Sequence, residues 1–340
     1  MLRREIRRDR RDDRLDRIER RRDRFRDWAR DRRRDDVARA AFVGLGAFAA
    51  ASIIANTANR TTYVVDGRPF IVNADPARLR WRADTYDVVD LQGGWTQSVV
   101  VRNNGVRVVT IVDEYGVPIR RYREFPDGRT VTLFNNLPTW WDDNAGLSVD
   151  IGPIVINVPQ ERYIVEPSRA SVQVVYETVT AEPVREVERA YTLNQVLYNE
   201  DLRALMPRID IDTITFESGS AEVPDAQIDA LETLGVAMEE AILDNPAEVF
   251  LVEGHTDAVG SEDSNLILSD ERAESVATLL TEYFEIPPEN IVSQGFGEQF
   301  LKVPTEGPSQ ANRRVTVRRI TPLLAADDQI AGLEGELSVR

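Results

Sequence analysis

A single histidine, His255, and a complete lack of cysteine narrow the chemistry open to this 340-residue chain. Thiolate nucleophiles, disulfides, Cys-based zinc sites and clusters of imidazole ligands are excluded. So is lipid attachment at a mature N-terminus, which needs a cysteine. A Ser–His–Asp triad would have to use His255, and no G-x-S-x-G elbow accompanies it. The 58 Asp and Glu side chains form no paired-carboxylate motif beyond scattered surface acids. No catalytic residue, metal or cofactor is expected, which leaves recognition by fixed charges and hydrogen bonds.

The charge is unevenly spread. Residues 1–39 carry 18 Arg against 11 Asp and Glu, whereas the whole chain has a formal net charge of −16, so a basic head precedes an acidic body. Residues 1–36 interleave these charges with Leu15, Ile18, Phe25 and Trp28 at roughly helical spacing. Pairs such as Asp13 with Arg17 and Asp16 with Arg20 support an exposed helix by a few tenths of a kcal/mol each. The interleaved acids argue against a nucleic-acid arm, so no nucleic acid is expected as a partner. Residues 40–59 contain no charge at all. The apolar core of that run, 40–55, would extend about 24 Å as a helix, against a hydrocarbon thickness of about 30 Å. Residues 37–59 together are therefore read as a membrane-targeting segment, either a retained transmembrane helix or a cleaved signal. Arg30, Arg32, Arg33, Arg34 and Arg39 precede it, which puts the N-terminus in the cytoplasm and the rest beyond the membrane.

Residues 60–182 read as a β-hairpin region. Thr61–Val65 and Phe70–Asn73 flank Asp66-Gly67, a dipeptide suited to the positive φ angles of a type I′ turn. Stretches at 99–102, 106–113, 119–125 and 130–134, separated by Gly-containing turns, predict a four-stranded antiparallel meander. The stretch 172–179 fits strand or helix, and Trp140-Trp141 falls in a polar loop. Residues 183–208 read as a connector with one or two short helices around 192–205. From 209 to 324 the pattern is regular. Strands are expected at 211–216, 248–253, 291–294 and 314–320, and helices at 226–243 and 265–284. The fold class is thus α+β, a βαβαββ two-layer sandwich preceded by a meander, with a flexible tail at 325–340.

The string Gly254-His255-Thr256-Asp257, then Gly260, Asn265, Leu268-Ser269, Arg272-Ala273, Gly295-Phe296-Gly297-Glu298 and Asn312-Arg313-Arg314-Val315, resembles the OmpA-like peptidoglycan-binding domain in both order and spacing. More loosely, the meander and the phrases ERYIVEP, RAYTL and KVPT…GP resemble a subgroup of alphaproteobacterial envelope proteins. The resemblance implies non-covalent binding of peptidoglycan through the diaminopimelate of its stem peptide. The free α-centre of diaminopimelate is a zwitterion, so its receptor needs an anion and a cation a few ångströms apart. The resemblance gives the ammonium to Asp257 and the carboxylate to the guanidinium fork of Arg272, with Asn265 as a further contact. Thr256, Gly254, Ser269 and Arg313 would support them. From the residues alone, Asp257 and Arg272 could equally form a salt bridge with each other. The sequence departs from the family pattern at Gly219, where many members carry Asn, and at Glu271, where Arg is common.

The resulting expectation is a non-catalytic envelope protein that tethers a membrane to the wall, with its C-terminal domain in the periplasm. The resemblance favours the outer membrane, while the flanking charges allow an inner-membrane anchor. A stator-like component would need an acid within the membrane segment, and residues 40–59 have none. An envelope enzyme lacks the residues named at the outset.

Overall fold

The computed structural model describes residues 52–57, 60–65, 68–72, 77–113, 118–136 and 149–324. The expected charged helix at 1–36, the apolar run up to residue 51, the Trp140-Trp141 pair and the tail at 325–340 lie outside them. Strands β1 (Ser52–Thr57), β2 (Arg60–Val65) and β3 (Arg68–Val72) form an antiparallel three-stranded sheet. The β2–β3 pairing, Val65 opposite Arg68, is the hairpin expected around residues 66–67. Strand β1 corrects the extent of the membrane segment, expected to reach residue 59. Its Ile53, Ile54 and Thr57 are β-branched and suit a strand, and its backbone pairs with β2. Among the described residues no helix is long and apolar enough to cross a membrane.

The meander has five strands where four were expected. They are β4 (Ala83–Asp90), β5 (Thr96–Arg102), β6 (Arg107–Val112), β7 (Pro118–Glu124) and β8 (Thr130–Asn135), hydrogen-bonded in chain order. The unforeseen strand is the edge. Asp84, Asp87 and Asp90 make β4 read as polar loop, and charge of that kind keeps an exposed edge from pairing with other chains.

After the meander come α1 (Gln160–Tyr163), β9 (Ile164–Val165), α2 (Val172–Val179), α3 (Leu193–Tyr198) and α4 (Glu200–Ala204). The remaining elements are β10 (Arg208–Ile211), α5 (Glu232–Asp244), β11 (Phe250–Gly254), α6 (Glu262–Phe284), β12 (Ile291–Gly295) and β13 (Val315–Arg319). The ambiguous 172–179 stretch is a helix, capped by Ser171 accepting from the Val174 N–H. Strand β10 ends at Ile211, where the expected strand began. Arg208 and Asp210 hid it, because their side chains pair with each other at 2.8 Å inside the fold.

The last sheet runs in the order β12-β11-β13-β10-β9, with β11 parallel to β12 and antiparallel to β13. On one face Phe250, Val252, Ile209 and Val317 meet α2, α5 and α6 through Val175, Met238, Val276 and Leu280. This is the expected sandwich. The opposite face is covered as well: Val249, Leu251 and Ile320 pack with Val196, Leu197 and Leu202 of α3 and α4, and with Leu133 and Phe134 of the meander. Residues 183–208 therefore help bury the sheet, and the core reaches upstream of residue 209. Each of these fully buried aliphatic side chains stabilises by roughly 1.5–3 kcal/mol.

Buried charge locks the meander to this sheet. Glu289, just before β12, takes Arg123 Nε at 2.8 Å and Arg102 Nη2 at 3.1 Å. Arg78 donates to the Pro288 carbonyl at 2.8 Å and pairs with Glu274 of α6 at 3.3 Å. Burial alone would raise the Glu289 carboxyl, but Arg123 and Arg102 outweigh it and hold it below the usual carboxylate range. Removing one member of such a group strands the others without compensation. Glu289→Ala is expected to lower unfolding stability by about 3–5 kcal/mol, read from urea titrations against the parent chain.

Candidate ligand-binding site

The site begins where β11 runs out. Strand alternation points Gly254 at α6, and a Cβ there would lie 1.8 Å from the Ser269 carbonyl oxygen. Gly295, its partner at the end of β12, would put a Cβ 2.4 Å from the Asp270 nitrogen. Both positions let the helix lie flush on the two strand ends. Gly260 does occupy the left-handed region, at φ 117°. The helix is capped by the Ser261 side chain, and Glu262 and Asp263 in its first turn suit its dipole.

From this base the chain leaves the sheet as His255-Thr256-Asp257. The Thr256 N–H donates to the Gly297 carbonyl at 2.9 Å, and the Gly297 N–H donates to Ser269 Oγ at 2.8 Å. Thr256 and Ser269 thus tie the two loops and the helix into one unit. Asp257 Oδ2 accepts from Arg313 Nη1 at 2.6 Å and from the Ser309 N–H at 3.1 Å. Burial alone would raise the Asp257 carboxyl, but the Arg313 and Ser309 hydrogen bonds hold it below its ordinary value. Asn265 donates through Nδ2 to the Asp257 carbonyl at 3.2 Å and to Glu298 at 2.5 Å. Its amide nitrogen is committed to shaping the loop.

Arg272 is fully buried. Its Nε donates to the Ser220 carbonyl at 3.0 Å and its Nη2 to the Glu217 carbonyl at 3.2 Å, while the guanidinium lies 4.9 Å from the Phe216 ring centre. Nη1 has no partner. Burial, with Arg313 nearby, pushes its pKa down to about 10, against the opposing pull of Asp257. Among the described residues, no ion pair within 4 Å joins Arg272 to Asp257 or to any other carboxylate. The salt bridge that the sequence allowed between them is therefore absent, and Asp257 turns to Arg313. The loop at 216–220 that holds Arg272 was not foreseen, nor were Ser309 and Glu298. Backbone carbonyls leave no residue-type signal, and Glu298 was visible only as part of the family string.

His255 lies beneath this surface, stacked on Phe296 at 5.9 Å between ring centres, with Nε2 3.6 Å from Glu253 Oε2. That spacing exceeds a hydrogen bond. Glu253 itself is satisfied by Arg318 Nε at 2.8 Å and Thr316 Oγ1 at 3.1 Å. Among the described residues, no group of three or more His, Asp or Glu could hold a metal ion.

Residues 215–314 match the model of the OmpA family, so the C-terminal third is an OmpA family domain. No curated protein matches the chain. Several solved structures are similar to it. The OmpA-like domain of FopA1 from Francisella tularensis subsp. tularensis SCHU S4 is 20% identical, with a TM-score of 0.28, covering 33% of this chain and 70% of that one. The peptidoglycan-associated lipoprotein from Burkholderia pseudomallei is 19% identical, with a TM-score of 0.26 and coverages of 31% and 86%. The cell wall anchor of the T6SS from Pseudomonas aeruginosa is 25% identical, with a TM-score of 0.27 and coverages of 33% and 78%.

Burial and the Arg314 charge push the His255 imidazole down to about 4 from 6.5, against the opposing pull of Glu253. Between those values the unfolded chain holds the extra proton, so this contribution is present above 6.5 and lost as pH falls towards 4. Urea midpoints measured from pH 7 to 4.5 should fall with pH, and His255→Gln should flatten that slope. An unchanged slope would place the acid sensitivity elsewhere.

Proposed function

We propose that this chain is a non-catalytic cell-envelope protein that holds peptidoglycan non-covalently, with the free α-centre of diaminopimelate bound between Asp257 and Arg272. The observation that carries this reading is the state of Arg272. It is a buried guanidinium with no carboxylate partner and an unengaged Nη1. A cation kept out of water without a counter-ion is costly, and a ligand carboxylate would supply the missing charge. Because Nε and Nη2 already hold the carbonyls of Ser220 and Glu217, the carboxylate would approach Nη1 and displace part of that loop. A carboxylate is the stronger acceptor of the two. Asp257, anchored by Arg313 and by the Ser309 and Val259 N–H groups, would present its carboxylate to the ammonium. Asn265, Thr256, Ser269, Gly254 and Arg313 hold these two groups in place.

The domain match at 215–314 supports the reading, as do the lack of cysteine and the single histidine. Residues 37–51, followed by the β1 strand, would link the wall-bound domain to a membrane, with that domain in the periplasm. The outer membrane is the proposed location.

The test is sedimentation of the full-length chain with purified peptidoglycan sacculi. Asp257→Ala and Arg272→Ala should each weaken binding about 10- to 100-fold, the loss of one charge-assisted hydrogen bond of roughly 1.5–3 kcal/mol. Sacculi carrying lysine in place of diaminopimelate should bind poorly to the parent chain. Undiminished sedimentation of both variants, with unfolding midpoints unchanged, would refute the assignment.

A further inference from the structure

A second cavity of about 330 Å³ opens beside β10, lined by Asp210, Asp212, Thr215, Lys302, Gln310 and Arg314, among others. Most charges around it are neutralised in place. Lys302 Nζ pairs with Asp210 at 2.9 Å and with Glu166 at 3.4 Å, and Arg208 pairs with Asp210 at 2.8 Å. Arg313, also on the lining, is engaged with Asp257.

Two groups are left over. Arg314 is only 7% exposed, yet among the described residues its sole side-chain hydrogen bond runs from Nη2 to the Phe300 carbonyl at 3.0 Å. Its Nε and Nη1 have no partner, and among the described residues no carboxylate lies within 4 Å of it. Asp212 is the complement. It accepts from the Ser168 N–H and hydroxyl, and among the described residues no cation lies within 4 Å of it. One cavity is therefore lined by a buried guanidinium with two unengaged donors, by an exposed carboxylate with no cation within 4 Å among the described residues, and by the neutral Thr215 and Gln310. A simple anion would face Asp210 and Glu166, and a simple cation would face Arg314 and Lys302. A molecule carrying both charges satisfies both leftovers.

We propose that this cavity is a second binding site, for the zwitterionic head of an α-amino acid, with the carboxylate on Arg314 and the ammonium on Asp212. The volume falls at the lower end of small-molecule sites and accommodates a single amino-acid unit. Arg313 stands between this cavity and Asp257, so the two zwitterion sites are neighbours. Because diaminopimelate has two α-amino-acid centres, the same compound probes both. The site stands whether or not the Asp257–Arg272 reading holds.

Equilibrium dialysis of the full-length chain against radiolabelled meso-diaminopimelate tests it by stoichiometry. Two molecules per chain are expected, falling to one in Asp212→Asn, to one in Arg272→Ala, and to none in the double variant. Asp212 is exposed, so its replacement leaves the fold intact; Ala311→Trp, which blocks the cavity mouth, should match it. One molecule per chain, lost in Arg272→Ala and kept in Asp212→Asn and Ala311→Trp, overturns this inference and retains the first site. One molecule lost in Asp212→Asn and kept in Arg272→Ala supports this site and removes the other. No binding to the parent chain refutes both.

Discussion

The geometry of the candidate site depends on how closely helix α6 approaches the ends of β11 and β12. At Gly254 and Gly295 there is no room even for a methyl group. That contact fixes the height of the helix above the sheet, and with it the positions of Asn265, Ser269 and Arg272 relative to the loop bearing Asp257. Ser269 then converts a steric fit into a hydrogen-bonded one by accepting from Gly297. Close packing of this kind transmits small errors, since interiors have little free space to absorb them. Residues that touch no ligand therefore matter as much as those that would.

Charged groups around the site are treated in opposite ways. Beneath the site, Glu253 is surrounded by Arg318, Thr316 and Arg203, and its carboxyl is held well below the usual range although burial alone would raise it. That charge is fully paired and structural. By contrast, Arg272 on α6 and Arg314 just before β13 keep donors without acceptors. Buried polar atoms are normally satisfied, so the contrast separates charges that build the fold from charges left available to something else.

Much of this was legible from residue order. The helix at 265–284 and the later part of the one expected at 226–243 followed from their apolar stripes, although residues 225–231 form a 3-10 helix, and the family string pointed to Asp257 and Arg272 as candidates. The failures share a physical cause. Strand β10 carries charged residues at alternate positions and β4 an Asp at every third, patterns that read as loop until, for β10, Arg208 and Lys302 are seen to neutralise Asp210. The short helices expected around 192–205 are α3 and α4, but the sheet they bury is remote in sequence, so their packing was not legible. The exchange of partners at Asp257, from Arg272 to Arg313, depends on carbonyls of the 217–220 loop, which sequence does not display.

The clamp at Glu289 has a mechanical meaning. Arg78, Arg102 and Arg123 reach across from separate strands and turns to one short segment of the C-terminal domain. Tension arriving from the upstream chain meets Arg78 before it meets any strand of the meander. Because the three arginines grip neighbouring points, a pull distributes over them together instead of peeling them one by one. Resistance to force in such a joint scales with the number of contacts loaded at once. Under load, the meander and the C-terminal domain would then move as one link and not as beads on a slack cord.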